Sequence, residues 1–293
     1  MSESDRYLSR AFGLLWESDW PLDQFMASNE SGAADVTVRR QPHLRDRPGG
    51  TPINNGEVFA DGARFRFGDA TFDVFGGERV DWASPSEDAV PAAFFGTVVA
   101  IILAWRGLVP LHGSAVEIDG RAVLLAGPSG AGKSTLCDAL VRRGGKLVSD
   151  DLSVMKPVAD GGIPVLLSGR PAIRLFPGGT PAAGLKQLQP APMVDPNREL
   201  PLGSLVLLQP SAVSPGPAGA SEALSAQLFR PRWMQVLPHR QTRLASLFYA
   251  SQSITMFTLP GAKDRPDVSI DDKADQLMSL LSNADGHGPR FGE

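Results

Sequence analysis

Apolar and polar residues alternate in the stretch EVFADGARFRFGDATFDVF, residues 57–75, and this alternation predicts short β-strands. Asp-Gly and Gly-Asp pairs interrupt the stretch and are typical of tight hairpin turns. Residues 41–55 are rich in Pro, Gly and Arg and predict a loop, and residues 1–30 favour a helix followed by a turn at Pro21. These patterns together predict a small β-rich N-terminal module over residues 1–89.

A continuous apolar run, VPAAFFGTVVAIILAW at residues 90–105, predicts a buried helix. Its sixteen residues are fewer than the roughly twenty that a helix needs to cross a bilayer. Two apolar strands around an Asp-Gly turn follow, and the second of them, residues 121–126, leads into a glycine-rich turn. Leu136 and Leu140 then recur at helical spacing. This order of elements predicts an α/β domain over residues 90–283.

The remaining pattern continues the same α/β domain. The segment KLVSDD predicts a strand that ends in two carboxylates, a further core strand is expected at 203–208, and helices are expected at 240–249 and 270–281. Residues 177–201 have no clear period and predict a mobile loop, which is either a lid over the site or a passive surface excursion. Residues 284–293 are expected to be a disordered tail.

Charge and cysteine content narrow the function classes. The 293 residues carry 28 Lys and Arg against 32 Asp and Glu, a net charge of −4, which argues against a general nucleic-acid or membrane-surface partner. Cys137 is the single cysteine and cannot form an internal disulfide, which favours a reducing, cytoplasmic setting. The N-terminal residues lack the basic stretch, apolar core and cleavage site of a secretory signal, so we expect a cytoplasmic protein.

The segment LLAGPSGAGKSTLCDAL, residues 124–140, has the spacing of a phosphate-binding loop. Glycines there let backbone N–H groups approach the phosphates, and the following helix directs its positive end at the anion. In this interpretation Lys133 contacts the β- and γ-phosphates of ATP, and Ser134 ligates Mg²⁺. The predicted nucleotide-binding residues are Gly127, Pro128, Ser129, Gly130, Ala131, Gly132, Lys133, Ser134 and Thr135. The alternative is a glycine-rich turn without a ligand.

Asp150 and Asp151 are the predicted carboxylates of the site. They follow Lys133 by 17 and 18 residues, at the end of a strand that is expected to lie beside the loop strand after one helical crossover. Neighbouring side chains on a strand point to opposite faces, so one carboxylate can face the phosphates and Mg²⁺ while the other orients a partner. Repulsion between them can raise the pKa of one and make it a usable base. The alternative for the aspartate pair is that it only caps the turn. His112 is a further candidate catalytic residue, and its alternative is a structural histidine.

The order of histidine-glycine, hairpin, phosphate loop, helix and paired aspartate resembles the C-terminal catalytic domain of the HPr kinase/phosphorylase family. The residues that carry the resemblance are LHGSAVEIDGRAVLLAGPSGAGKST and GGKLVSDD, within 108–155. The resemblance implies a P-loop HPr-kinase/PEP-carboxykinase-like kinase domain, which uses ATP to phosphorylate a serine of a small protein. It also implies Asp150 as the general base, Asp151 and His112 as supporting residues, and Ser134 with an aspartate at Mg²⁺.

The chain departs from that family in three respects. Ala172 stands where the family has a metal-ligating glutamate, the downstream signature linked to phosphorolysis is missing, and the part before residue 108 does not resemble the usual N-terminal domain. A regulator of sugar transport with both kinase and phosphorylase activities is therefore not expected. Through ADVTVRR, the loop segment and RPAIRLFP, the chain is more similar to HPr-kinase-related proteins of peptide-modification systems, RiPP biosynthesis among them, including those that phosphorylate the C-terminal serine of lasso peptide precursors.

Four arginines are candidate substrate contacts: Arg170, Arg174, Arg230 and Arg232. A guanidinium group binds a phosphate or a carboxylate at two points, which suits an acceptor peptide whose chain terminus is recognised. The leading hypothesis is an ATP- and Mg²⁺-dependent serine kinase that acts on a peptide or small protein. A small-molecule kinase and a non-catalytic nucleotide-dependent switch are the alternatives, and the family's oligomeric members leave a homo-oligomer open. We also hypothesise that an edge of the β-rich module grips the substrate peptide.

Overall fold

The computed structural model describes residues 6–85, 90–177, 184–210 and 217–285, and their strands form two large sheets and a two-stranded one. The strands are β1 (Tyr7–Ala11), β2 (Leu14–Ser18), β3 (Met26–Ala27), β4 (Val36–Arg40), β5 (Thr51–Ile53), β6 (Gly56–Phe59), β7 (Gly62–Phe67), β8 (Ala70–Phe75), β9 (Arg79–Ala83), β10 (Val109–His112), β11 (Ser114–Ile118), β12 (Arg121–Ala126), β13 (Lys146–Ser149), β14 (Leu152–Met155), β15 (Val165–Leu167), β16 (Ala172–Leu175), β17 (Gln187–Pro190), β18 (Glu199–Leu208) and β19 (Thr255–Leu259). The helices are α1 (Val99–Trp105), α2 (Lys133–Arg142), α3 (Pro217–Ser225), α4 (Pro231–Val236), α5 (Arg240–Ser253) and α6 (Ile270–Asp285).

The first sheet confirms the β-rich N-terminal part. Its strands follow the order β3-β1-β2-β4-β9-β8-β7-β6-β5, and they pair antiparallel except where β4 meets β2 and β9. The helix expected within residues 1–30 is wrong, because β1 and β2 form a hairpin whose turn places Phe12 and Gly13 at φ 56° and 72°. Leu8, Phe12 and Leu15 recur at helical spacing, but the two-residue turn with positive φ directs the chain into a hairpin.

The apolar run at 90–105 forms a buried helix, as predicted, but the helix starts at Phe94 and not at Val90. Its first part, Phe94–Val98, is π-helical and continues directly into α1. Residues 98–104 are completely buried. Phe94 packs against Trp16, Phe25 and Phe72 of the N-terminal part, and the helix and the first sheet share one hydrophobic core. The boundary after residue 89 stays a prediction. In the described part of the chain, no helix has the length and apolarity that crossing a membrane requires.

The second sheet holds the phosphate-loop strand β12 near its centre. The strand order is β10-β14-β15-β18-β12-β11-β13, with β19 also paired to β18. The expectation that β13 lies beside β12 is wrong, because β11 forms a hairpin with β12 and occupies that edge. β13 pairs antiparallel with β11 and therefore runs parallel to β12, so both strands end at the same side of the sheet. The aspartates after β13 still reach the loop after β12.

Two segments expected to be irregular contain regular structure. Within 177–201, β17 pairs with β16, and β18 begins at Glu199. Residues 178–183, for which a lid or a passive surface excursion was expected, lie outside the described residues. All four residues of β17 are exposed, so no apolar periodicity marks the strand in the sequence. α6 runs to Asp285, two residues into the expected tail, and 286–293 lie outside the described residues.

Candidate active site

The glycine-rich turn between β12 and α2 has the backbone of a phosphate-binding loop. Gly127, Gly130 and Gly132 have φ values of 140°, 80° and 97°, which side chains with a Cβ rarely adopt. A Cβ on Gly127 would lie 2.6 Å from the carbonyl oxygen of Leu208 on the neighbouring strand. α2 begins directly after the turn, and its first backbone N–H groups have no partner within the helix. The turn therefore offers unpaired N–H donors and the positive end of a helix to an anion.

Lys133 lies inside this turn rather than in solvent. Its Nζ donates to the carbonyl oxygens of Gly127 and Pro128, at 2.8 and 3.2 Å, and the residue is only 8% exposed. Burial lowers the pKa of the Lys133 ammonium, and the nearby carboxylates of Asp151 and Asp150 oppose that shift. The ammonium is thus held at the mouth of the loop, where a bound phosphate would meet it.

The carboxylate of Asp150 is buried and fully engaged. Its Oδ1 accepts hydrogen bonds from Ser134 Oγ at 2.9 Å and from Ser114 Oγ at 2.6 Å. Its Oδ2 accepts from the backbone N–H of Arg174 at 2.8 Å, and the residue is 1% exposed. Asp150 therefore connects the first turn of α2 to β11 and β16.

Asp151 points the other way, into an open cavity. Its backbone has φ 69°, a left-handed conformation that Asp tolerates better than most residues. Its side chain is 39% exposed, with Oδ1 3.5 Å from His112 Nδ1 and Oδ2 4.0 Å from Arg170 Nη2. The two neighbouring aspartates thus face opposite environments.

His112 and Phe229 form one wall of this cavity, with ring centroids 5.9 Å apart. Burial lowers the pKa of the His112 imidazole, the positive charge of Lys133 lowers it further, and Asp151 acts in the opposite direction. The neutral imidazole is therefore favoured, and its Nδ1 lies beside the Asp151 carboxylate.

The cavity has a volume of about 620 Å³. Its lining joins the phosphate loop, the exposed aspartate and a cation: Gly127, Pro128, Ser129, His112, Asp151 and Arg230. The volume lies in the range of small-molecule sites, and the polar groups converge from different elements. The cavity therefore joins the glycine-rich turn to the exposed Asp151 carboxylate.

The four predicted arginines lie in different places. Arg170 is 3% exposed, and its Nη2 donates to the backbone oxygen of Asp150 while its Nη1 donates to Gln24 Oε1. Its Nε has no hydrogen-bond partner among the described residues. Arg174 contributes its backbone N–H, but its side chain is exposed. Arg230 lines the cavity, whereas Arg232 lines a neighbouring one.

Two residues near the loop were missed from the sequence. Ser114 lies two positions after His112 and hydrogen-bonds Asp150, so the motif His-Gly-Ser carries a signal beyond its histidine. Lys263 lies beside the loop, since a Cβ on Gly130 would be 3.2 Å from its Nζ. Its neighbour Ala262 donates its backbone N–H to Ala131 of the loop at 2.9 Å. The sequence signal is the short segment Gly-Ala-Lys that follows the last apolar strand.

The donor set fits Mg²⁺ only together with phosphate oxygens. Within the described ranges, no three His, Cys, Asp or Glu side chains lie close enough to hold a metal ion by themselves. Ser134 and Asp150 offer a hydroxyl and a carboxylate oxygen 2.9 Å apart at the start of α2. Mg²⁺ prefers such oxygen ligands and takes the rest of its octahedron from phosphates and water.

Comparison with known proteins finds one family model that matches the site region. Residues 107–166 match the model described as HPr Serine kinase C-terminal domain. Two proteins named HPr kinase/phosphorylase are similar: that of Lachnoclostridium phytofermentans is 42% identical over 52 residues, and that of Lactobacillus acidophilus 54% over 41. These matches cover 18% and 14% of this chain, and 17% and 13% of the relatives.

A GTPase and a solved structure also match. A tRNA modification GTPase MnmE from Rhizorhabdus wittichii is 39% identical over 95 residues, which are 29% of this chain and 21% of the relative. The chain thus spans about a fifth or less of the curated relatives' length. The HPr(Ser) kinase/phosphatase structure from Coxiella burnetii has 20% identity and a TM-score of 0.26, and the match covers 37% of this chain and 71% of that one. Residues 107–166 are therefore similar to the HPr kinase C-terminal domain, as the order of motifs predicted.

Proposed function

We propose that this protein is an ATP-dependent kinase that transfers the γ-phosphoryl group to a serine hydroxyl of a peptide or small protein. The observation that carries the proposal is that two adjacent carboxylates contact different parts of the site. Asp150 contacts Ser134 of the phosphate loop, and Asp151 faces the cavity where an acceptor would lie. The family relationship of residues 107–166 supports serine as the acceptor residue.

The loop residues 127–135 hold the triphosphate in this proposal. Backbone N–H groups and Lys133 contact the phosphate oxygens and stabilise the negative charge that spreads over the γ-phosphoryl group during transfer. Ser134 and Asp150 would hold Mg²⁺, which neutralises charge on the β- and γ-phosphates when bound. Lys263, beside Gly130, supplies a further positive charge at the rim of the loop.

Asp151 is the general base that we propose, in place of the Asp150 that the family resemblance implies. Asp150 already accepts three hydrogen bonds and is buried, whereas Asp151 is half-exposed in the cavity. The serine hydroxyl gives its proton to the Asp151 carboxylate while its oxygen forms a bond to the γ-phosphorus. The bond between that phosphorus and the β,γ-bridging oxygen breaks, and the electron pair leaves with ADP. His112 and Arg170 orient the Asp151 carboxylate from two sides.

The acceptor that we favour carries a carboxylate close to its serine, as the C-terminal serine of a lasso peptide precursor does. Arg230 supports this choice, since it lines the same cavity as Asp151 and can bind a carboxylate. The net charge of −4 supports the proposal that neither nucleic acid nor a membrane surface is a partner. We also propose that the protein is cytoplasmic, where ATP is present.

One observation favours a second candidate, a nucleotide-dependent switch without transfer. Ala172 stands on β16, two residues before the Arg174 N–H that binds Asp150, at the position where the family has a glutamate. The site therefore offers one carboxylate fewer near the loop. In this alternative, nucleotide binding changes the affinity for a partner and no acceptor is labelled.

A panel experiment tests the two candidates. The protein is incubated with Mg-ATP and serine-terminated peptides, a serine-bearing carrier protein or free serine, and mass spectrometry detects the gain of one phosphoryl group. We expect labelling of one peptide or protein class, lost in Lys133→Ala. Labelling of free serine in preference to every peptide would indicate a small-molecule kinase. ATP binding without any labelled acceptor would favour the switch.

A further inference from the structure

A second cavity, of about 500 Å³, lies between the first sheet and the start of α4. One side comes from the N-terminal part, through Asn54 and Asn55 in the turn between β5 and β6 and through Phe65 and Phe67 on β7. The other side is formed by residues 230–233. Both halves are held together, since Trp233 packs edge-on against Phe65 at 5.9 Å and Arg232 Nη1 donates to Asn54 Oδ1 at 3.2 Å. The cavity thus lies where the first sheet contacts the start of α4, and side-chain contacts hold its two sides together.

The two cavities share part of their lining. Arg230 and Pro231 line both the cavity that contains Asp151 and the one beside Phe67. Arg230 has φ 49° directly before α4, and its Nε donates to the buried Thr97 Oγ1 at 3.2 Å. This hydrogen bond holds the Arg230 side chain where it lines both cavities. We call the two adjoining cavities, with Asp151 in one and the β5–β6 turn in the other, the acceptor groove.

The chemistry of the second cavity suits a polypeptide. Its described lining residues include three aromatic rings, two amide side chains and two guanidinium groups, and none is acidic. Phe67 is 54% exposed, so an apolar side chain can pack against it. Asn54 and Asn55 can bind peptide N–H and C=O groups, and Arg230 and Arg232 complement a carboxylate.

We propose that the acceptor groove binds the segment of the acceptor polypeptide that flanks the phosphorylated serine, an extended segment with an aromatic or aliphatic side chain and a carboxylate. This inference rests on the proposed kinase function and adds that the substrate is a polypeptide read by the N-terminal sheet. The contact is made by the β5–β6 turn and β7, in addition to any pairing at a sheet edge. Two observations carry the inference: Arg230 and Pro231 line both the second cavity and the one with Asp151, and the charged residues that line the second cavity are all positive.

Peptide kinetics with the full chain test this assignment. The probes are synthetic ten-residue serine peptides that contain or lack an aromatic residue, that contain or lack an acidic side chain, and that end in a carboxylate or an amide. The variants are Phe67→Ala and Arg232→Ala. Phe248→Ala on α5, at 52% exposure, and Arg240→Ala are the matched controls. Binding of a fluorescent ATP analogue is measured for every variant.

We expect Phe67→Ala to lower kcat/KM for aromatic peptides about tenfold, mainly through KM, and to remove the preference for the ring. Arg232→Ala should remove the preference for the carboxylate, and the amidated peptides distinguish a chain terminus from an acidic side chain. ATP-analogue affinity and both controls should match the wild type. If the wild type is active and both groove variants have wild-type kinetics, the acceptor groove does not bind the peptide, and the proposed kinase function stands. If the wild type phosphorylates free serine as efficiently as any peptide, the polypeptide assignment fails. If it labels no acceptor, the proposed function fails as well.

Discussion

Removing the side chains of Asp150 and Asp151 one at a time should give opposite phenotypes. In Asp150→Ala, the backbone N–H of Arg174 and the hydroxyls of Ser114 and Ser134 lose their common acceptor in a site that is 1% exposed. An unsatisfied buried polar group costs about 1–3 kcal/mol, and the hydroxyls can rotate toward other partners. We therefore expect the free energy of unfolding to fall by about 2–4 kcal/mol.

Asp150→Asn removes the negative charge of the side chain and keeps its shape, so it distinguishes the effect of the charge from that of the hydrogen bonds. The amide oxygen can accept from the Arg174 N–H, and the amide NH₂ can donate to the two hydroxyls, so the loss should be only about 1 kcal/mol. Asp151→Ala removes a 39% exposed carboxylate that lies 3.5 Å from Nδ1 of the neutral His112. We expect a loss within about 1 kcal/mol, since Ala tolerates the left-handed backbone at this position less well than Asp.

Urea unfolding and nucleotide titration measure both effects. Asp150→Ala and Asp150→Asn should weaken Mg-ATP binding, whereas Asp151→Ala should bind Mg-ATP normally and fail in transfer. Equal stability of the two alanine variants would refute the interpretation of Asp150 as a buried structural carboxylate. Full transfer by Asp151→Ala would remove Asp151 from the role of base.

Three further predictions concern the core, the loop and pH. Phe94→Ala should lower the free energy of unfolding by about 3–5 kcal/mol, measured with urea, because the ring is fully buried among aromatic residues; an exposed control, Phe248→Ala, should change little. Lys263→Met should reduce ATP-analogue affinity several-fold without a change in stability, and unchanged affinity would exclude a role at the loop. Burial lowers the pKa of His112 in the folded state, so the unfolded state binds more protons below its ordinary pKa of 6.5. Stability should therefore fall from pH 7.5 to 5.5 more steeply in the wild type than in His112→Ala, and parallel urea profiles would contradict this.

The sequence predicted the loop well because its backbone demands are local. Eight consecutive residues, 127–134, contain the three glycines with φ values of 140°, 80° and 97°, the lysine and the start of the helix. The N-terminal hairpin could not be predicted in this way. Leu8, Phe12 and Leu15 have helical spacing, and only the two-residue turn and the pairing with β3 and β4 determine the strands.

Long-range pairing limited the prediction of the site. The sequence predicted the hairpin of β11 and β12, but its local pattern did not show that β11 separates β13 from β12 in the sheet. The environments of Asp150 and Asp151 depend on Ser114, Arg170 and Arg174, which are 19 or more residues away in sequence. The acceptor groove combines Asn54 with Arg232 across 178 positions. Such contacts join residues that are distant in sequence and form only when the chain folds.

The most direct test of the central claim is the stoichiometry of transfer. Wild-type protein and Asp151→Asn are incubated with Mg-ATP and the best serine peptide, and ADP and phosphoserine are quantified together, with nucleotide binding measured in parallel. We expect one phosphoserine for each ADP in the wild type, and a rate of transfer about 10²–10⁴-fold lower in Asp151→Asn with nucleotide affinity retained. Formation of ADP without phosphoserine, or tight nucleotide binding with neither product, would contradict a kinase.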